Sequence, residues 1–168
     1  MSYELVSLLY VIFQVIDLKN LEKPNSLRFI LLKKIFYLID FKLEDFSVLC
    51  NDIFGINEKI RFVGIIDQMG NLVAGDMKSG LPSLERDDGS IRLYLGYAIN
   101  NVLRRDFDNV FGKVLYTFSE REKIKLLTVP IDNNLLLVSM DISADHVELI
   151  NKIQHIVSKL TKAKASRR

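Results

Sequence analysis

The sequence predicts an α+β domain: a five-stranded antiparallel sheet backed by helices in the order α-β-β-α-β-β-β-α, preceded by an apolar helical extension. Three observations support this. From about residue 43 onward the hydrophobic period alternates between the 3.6 of helices and the 2 of strands in that order. The connecting segments are short, as antiparallel neighbours allow and parallel crossovers do not. The composition, 49% apolar and 26% charged over 168 residues, is that of one globular domain with a core to bury.

Residues 1–42 come first and are the least ordinary part. Leu5–Ile16 is an apolar run interrupted by Ser7 and Gln14, and Phe29–Phe41 is another, broken by Lys33 and Lys34. Neither reaches the roughly 18–20 apolar residues that a spanning helix needs. Glu4 is the first charge and no small-residue cleavage site follows, so the pattern is not that of a signal peptide. Pro24, Asn25 and Ser26 supply a break and a helix start, which predicts two helices joined near Leu21–Ser26. Apolar residues nearly all around each helix imply burial against the main domain or a second copy. Peripheral membrane contact through Arg28, Lys33 and Lys34 is a second reading. A third is a misplaced start, which would make the segment foreign to the native protein.

The main domain is expected over residues 43–160. Phe46, Leu49, Cys50 and Ile53 recur at helical spacing, with Asp40 as cap and Gly55 as stop. Ile60–Asp67 reads as a strand, Gln68 to Asn71 as a turn, and Leu72–Ala74 as the returning partner. A loop from Gly75 to Gly89 follows, with Asp87-Asp88-Gly89 as a turn that caps the longest helix. That helix is expected at about Ile91–Val110, with Ile91, Leu95, Ala98, Ile99, Val102 and Leu103 as its buried stripe. Val114–Phe118, Lys123–Val129 and Leu135–Met140 form a meander with turns at Ser119–Glu122 and Pro130–Asn134. Asp145 caps the last helix, where Val147, Ile150, Ile153, Val157 and Leu160 repeat every three or four residues. The long helix is the expected cover for the apolar face of the sheet. Residues 161–168 read as a basic flexible tail.

The order of elements resembles the roadblock and dynein-light-chain superfamily, a relative of the longin and profilin-like folds. Ile60-Arg61-Phe62-Val63-Gly64-Ile65-Ile66-Asp67 followed by Gly70-Asn71-Leu72-Val73-Ala74-Gly75 is similar, more closely, to an archaeal domain family of unknown function. Ser119–Lys123 and Leu135–Ser139 share that likeness, which covers about residues 43–160. Gly75-Asp76-Met77-Lys78 departs from it, since that family places a second glycine and a basic pair there. The superfamily resemblance implies a cytoplasmic interaction module that homodimerises by joining sheet edge and long helix, then serves a small GTPase or a scaffold. The dimer edge it implies here is Val114, Tyr116 and Phe118, in the strand that starts the meander. A monomer with that edge covered by the N-terminal helices is the alternative.

Chemical motifs do not assemble, and no catalytic, cofactor or metal residue is expected. Gly75-x-x-x-x-Gly80 is followed by Leu81-Pro82, where a phosphate loop needs Lys and Ser or Thr. His146 and His155 lie nine residues apart on one helix, near opposite faces. Asp87-Asp88-Gly89 lacks the further ligands of a calcium loop. Cys50, the one cysteine, sits on an apolar stripe, excludes an internal disulfide and fits a reducing compartment. Glu120 and Glu122 flank a turn and are most simply solvated.

Charge is concentrated at one end. Five cations after residue 158, with no acid among them, leave residues 1–158 at a net −3. The isoelectric point of about 8.6 therefore describes the tail, and nucleic acid is a disfavoured partner despite Tyr94, Tyr97, Arg104 and Arg105. The tail itself reads as a nucleic-acid or anionic-lipid contact, or as complement to a helix dipole. Two function classes stay open: a non-catalytic interaction module, and a small-ligand sensor with a cavity between the sheet and Leu95, Ile99 and Val102.

Overall fold

The structure, a computed structural model, describes residues 44–82 and 87–166. The expected helices over residues 1–42, the cap at Asp40 and the proposed membrane contact lie outside the described residues. Helix α1 is described over residues 44–54. It is followed by β1 (Ile60–Ile66), β2 (Leu72–Met77), α2 (Asp87–Arg105) and a single turn of helix, α3 (Asp108–Phe111). Strands β3 (Thr117–Glu120), β4 (Ile124–Ile131) and β5 (Asn134–Asp141) precede the last helix, α4 (His146–Ser166). The strands form one antiparallel sheet in the order β2-β1-β5-β4-β3, so β2 and β3 are its edges.

The central strands are buried on both faces, because runs such as Leu135-Leu136-Leu137-Val138 supply apolar side chains to each side of the pleat. One face carries the main core. Val63, Ile65, Leu127, Val129, Leu136 and Val138 meet Phe46, Leu49 and Ile53 of α1 and Leu149, Ile153 and Val157 of α4. Phe46, Ile53, Ile60 and Ile153 are fully buried, each contributing about 1.5–3 kcal/mol of apolar transfer. The other face is thinner: Phe62, Leu126 and Leu137 with Met77, Tyr94, Tyr97 and Ile124. The principal cover is thus α1 with α4, whereas the sequence had pointed to the long helix.

Several boundaries differ from expectation. Strand β2 runs on to Met77 and carries Gly75 inside it, opposite Gly64. Helix α2 begins at Asp87 and ends at Arg105, five residues short of the expected stop, and α3 follows separately. Strand β3 begins at Thr117, leaving Val114 and Tyr116 in the approach to it. In the register Thr117↔Thr128, the next rungs outward would set Leu115 against Pro130, which has no N–H to contribute to a ladder. The β4–β5 turn shrinks to Asp132-Asn133, with Asp132 at φ 51°, a conformation aspartate tolerates. Helix α4 begins where Asp145 Oδ1 accepts from the backbone N–H of Val147 and Glu148 at 3.1 and 3.2 Å. It continues to Ser166, so most of the expected flexible tail from residue 161 is helical.

Candidate interaction surfaces

Helix α2 decides which surface the thin face of the sheet presents. Its apolar residues cover well over half its circumference, and the sheet takes only part of them. Tyr94, Tyr97, Ala98 and Asn101, at i, i+3, i+4 and i+7, turn inward, with Ala98 2% exposed. Tyr94 stacks on Phe62 at 5.9 Å between ring centroids. Arg104 donates to Thr117 Oγ1 at 2.7 Å, and Arg105 donates to the Asp132 carbonyl.

The β1–β2 turn fixes the other flank. Gly70, at φ +79°, lies so close that a Cβ there would stand 2.6 Å from the Leu95 backbone. The turn is held by Asp67, 1% exposed, whose Oδ1 accepts from the N–H of Met69 at 2.8 Å and of Asn71 at 2.9 Å. Its Oδ2 accepts from Asn71 Nδ2 at 2.9 Å. Burial alone would raise this carboxyl, but hydrogen bonds including those from Asn71 and Met69 outweigh it and hold the pKa below the ordinary value.

This roll buries Ala98 of the stripe expected to be buried and turns its other five residues outward. Ile91, Leu95, Ile99, Val102 and Leu103 are 66, 41, 48, 42 and 57% exposed. The cavity expected between the sheet and Leu95, Ile99 and Val102 is therefore not lined by them; Tyr94, Tyr97, Ala98 and Asn101 occupy the side facing the sheet. Beyond the helix the apolar surface continues over Phe107, Val110 and Phe111, with Phe107 stacked on Phe111 at 6.0 Å.

Strand β3 is the second surface. It pairs only with β4, and among the described residues no strand lies against its other side. Of the three residues expected on the dimer edge, Phe118 is in β3 and stacks on His146 of α4 at 4.5 Å. Tyr116, 43% exposed, and the half-buried Val114 precede the strand, while Leu115 between them is 70% exposed. β3 is thus an edge strand of the sheet, shorter than the strand expected from the sequence.

Between these surfaces, α2 and β3 enclose an open cleft of about 440 Å³. Arg92, Gly96, Asn100 and Arg104 wall it from the helix, Thr117 and Ser119 from the strand, and Arg121 from the β3–β4 turn. Thr128 and Asn101, 5 and 9% exposed, form its floor. Sequence reading groups Tyr94, Tyr97, Arg104 and Arg105 as stacking and charge for a disfavoured nucleic-acid surface, and has no signal to bring Arg92 and Arg121 to Arg104.

Other groups are inert by position. Cys50 is 3% exposed, and burial pushes its thiol up to about 11. Glu120 pairs with Lys125 at 3.3 Å, and the buried Lys125 ammonium also donates to the Ala144 carbonyl at 2.9 Å. Among the described residues no group of three His, Cys, Asp or Glu side chains is placed to hold a metal ion. Among them too, no helix is long and apolar enough to cross a membrane.

No protein-family model matches the chain, and no curated protein matches it. Solved structures do. The chain is similar to a Roadblock/LC7 domain from Streptomyces avermitilis, with TM-score 0.54 and 13% identity over 71% of this chain and 97% of that one. MglB from Myxococcus xanthus gives TM-score 0.57 and 16% identity over 74% and 90% of the two chains. Gliding protein MglB from Thermus thermophilus gives 0.56 and 15% over 72% and 91%. At these identities the likeness establishes the fold: the sheet and its helices have the Roadblock/LC7 arrangement.

Proposed function

We propose that this chain is a non-catalytic interaction module that pairs with a second copy of itself, and that the paired body seats a further protein, a small GTPase or a larger scaffold. The outward face of α2 carries this reading. Five apolar side chains, each more than 40% exposed, form one stripe on a helix whose other side is already packed. A stripe of this kind on a folded domain marks a contact surface. A helix crossing its own copy about a two-fold axis buries such a stripe symmetrically. The open edge of β3 lies in the same half of the molecule, and its four residues with a terminal glutamate limit uncontrolled strand addition. The Roadblock/LC7 fold supports the reading at the level of architecture. One MglB of similar fold, at TM-score 0.51, is described in a tetrameric arrangement.

Sedimentation velocity on the full chain tests the proposal. The wild type is expected to sediment as a dimer, and Leu95→Glu with Val102→Glu as a monomer with unchanged circular dichroism. A wild type that stays monomeric at all concentrations, or a variant that stays dimeric, would refute it.

A further inference from the structure

We infer that the cleft between α2 and β3 binds a phosphorylated small molecule through its phosphate oxygens. Three arginines line it from two elements: Arg92 and Arg104, about three turns apart on α2, and Arg121 from the β3–β4 turn. No carboxylate lines the cleft among the described residues. Of the two acids that flank Arg121 in sequence, Glu120 is paired with Lys125 and Glu122 does not line the cleft. An anion in the cleft meets positive charge along its α2 wall and at the β3–β4 turn.

Position and chemistry both suit a phosphate. Arg104 is held by the Thr117 hydroxyl, so its planar fork is oriented before a ligand arrives. Arginine meets phosphate oxygens with paired, charge-assisted hydrogen bonds. The floor adds neutral donors, the Thr128 hydroxyl and the Asn101 amide, in a place largely shielded from solvent. The half-buried Tyr97 supplies an apolar wall. A volume of about 440 Å³ falls within the range of small-molecule sites and exceeds what a single phosphate requires. The inference does not depend on self-pairing, since the cleft is complete within one chain.

Calorimetry with inorganic pyrophosphate and with ATP, on the full chain, tests it. Vesicles with and without a phosphorylated inositol lipid provide a second arm. Binding of the soluble probes identifies a free phosphate compound; retention on the phosphorylated vesicles alone identifies a lipid headgroup. In either case Arg92→Ala with Arg121→Ala, which leaves the Arg104–Thr117 bond in place, should weaken binding roughly tenfold or more. Affinity should fall with added salt, because the guanidiniums face an open cleft. Lys113→Ala, outside the cleft, should leave affinity unchanged. The inference is overturned if neither arm binds, or if Lys113→Ala weakens binding as much as the double variant does.

Discussion

Asp67→Ala separates the role of the β1–β2 turn from that of the core. The substitution removes a buried carboxylate that accepts three hydrogen bonds at 2.8–2.9 Å, from Met69 N–H, Asn71 N–H and Asn71 Nδ2. Hydrogen bonds to a charged group contribute ~1.5–3 kcal/mol each. Met69 and Asn71 are exposed, so the freed donors turn to water and the three losses do not sum in full. The expected cost is about 2–4 kcal/mol, a large share of the margin of one domain. Urea unfolding followed by circular dichroism should show the midpoint falling by about 1–2 M.

The cost also carries a pH signature. A carboxyl held below its ordinary pKa contributes stability that is fully present above the unfolded-chain value of about 3.9 and is lost as pH falls through the folded-state value. The gap between wild type and variant should therefore be constant across neutral pH and close below about pH 4. Amides of α2 should exchange faster in the variant as well, because the turn that Asp67 holds is the one Gly70 presses against Leu95. A gap under about 0.5 kcal/mol at neutral pH, or one that widens on acidification, would refute this account.

Two further outcomes follow from single residues. Gly75→Ala places a Cβ 2.1 Å from the Val63 carbonyl oxygen at φ +104°, so β2 must lift from β1, and chemical unfolding should register a loss of about 2–4 kcal/mol. A near-neutral result would mean that the hairpin is not packed as described. Cys50, with its thiol buried and pushed up to about 11, should resist aromatic disulfide reagents at neutral pH until denaturant is added. Rapid labelling of the native chain would place α1 elsewhere than against the core.

The order of elements was legible because the strands and helices differ in hydrophobic period, and because Asp145 and the Gly70 turn carry their own local chemistry. The start of β3 was not legible. Val114-Leu115-Tyr116 has strand composition, but a strand ends where its partner ceases to pair, and Pro130 lies fourteen or more residues away in sequence. The roll of α2 was hidden for a related reason. When apolar residues span more than half a helix, periodicity finds the stripe but not the part of it that faces the protein's own sheet. Tyr94, Tyr97, Ala98 and Asn101 could have been identified as a face by spacing, though two tyrosines and an asparagine look like surface. The cleft needs the β3–β4 pairing before Arg121 can approach α2, so no linear pattern announces it.

The unequal filling of the two sides of the sheet bears on how such a domain changes over time. With its tightly packed interior lodged between α1, α4 and the strands, drift along the outer arc of α2 meets little penalty in foldability. If α2 seats partners as proposed, lineages can exchange binding companions by rewriting a single helix, while the melting behaviour of the domain stays where the opposite layer sets it.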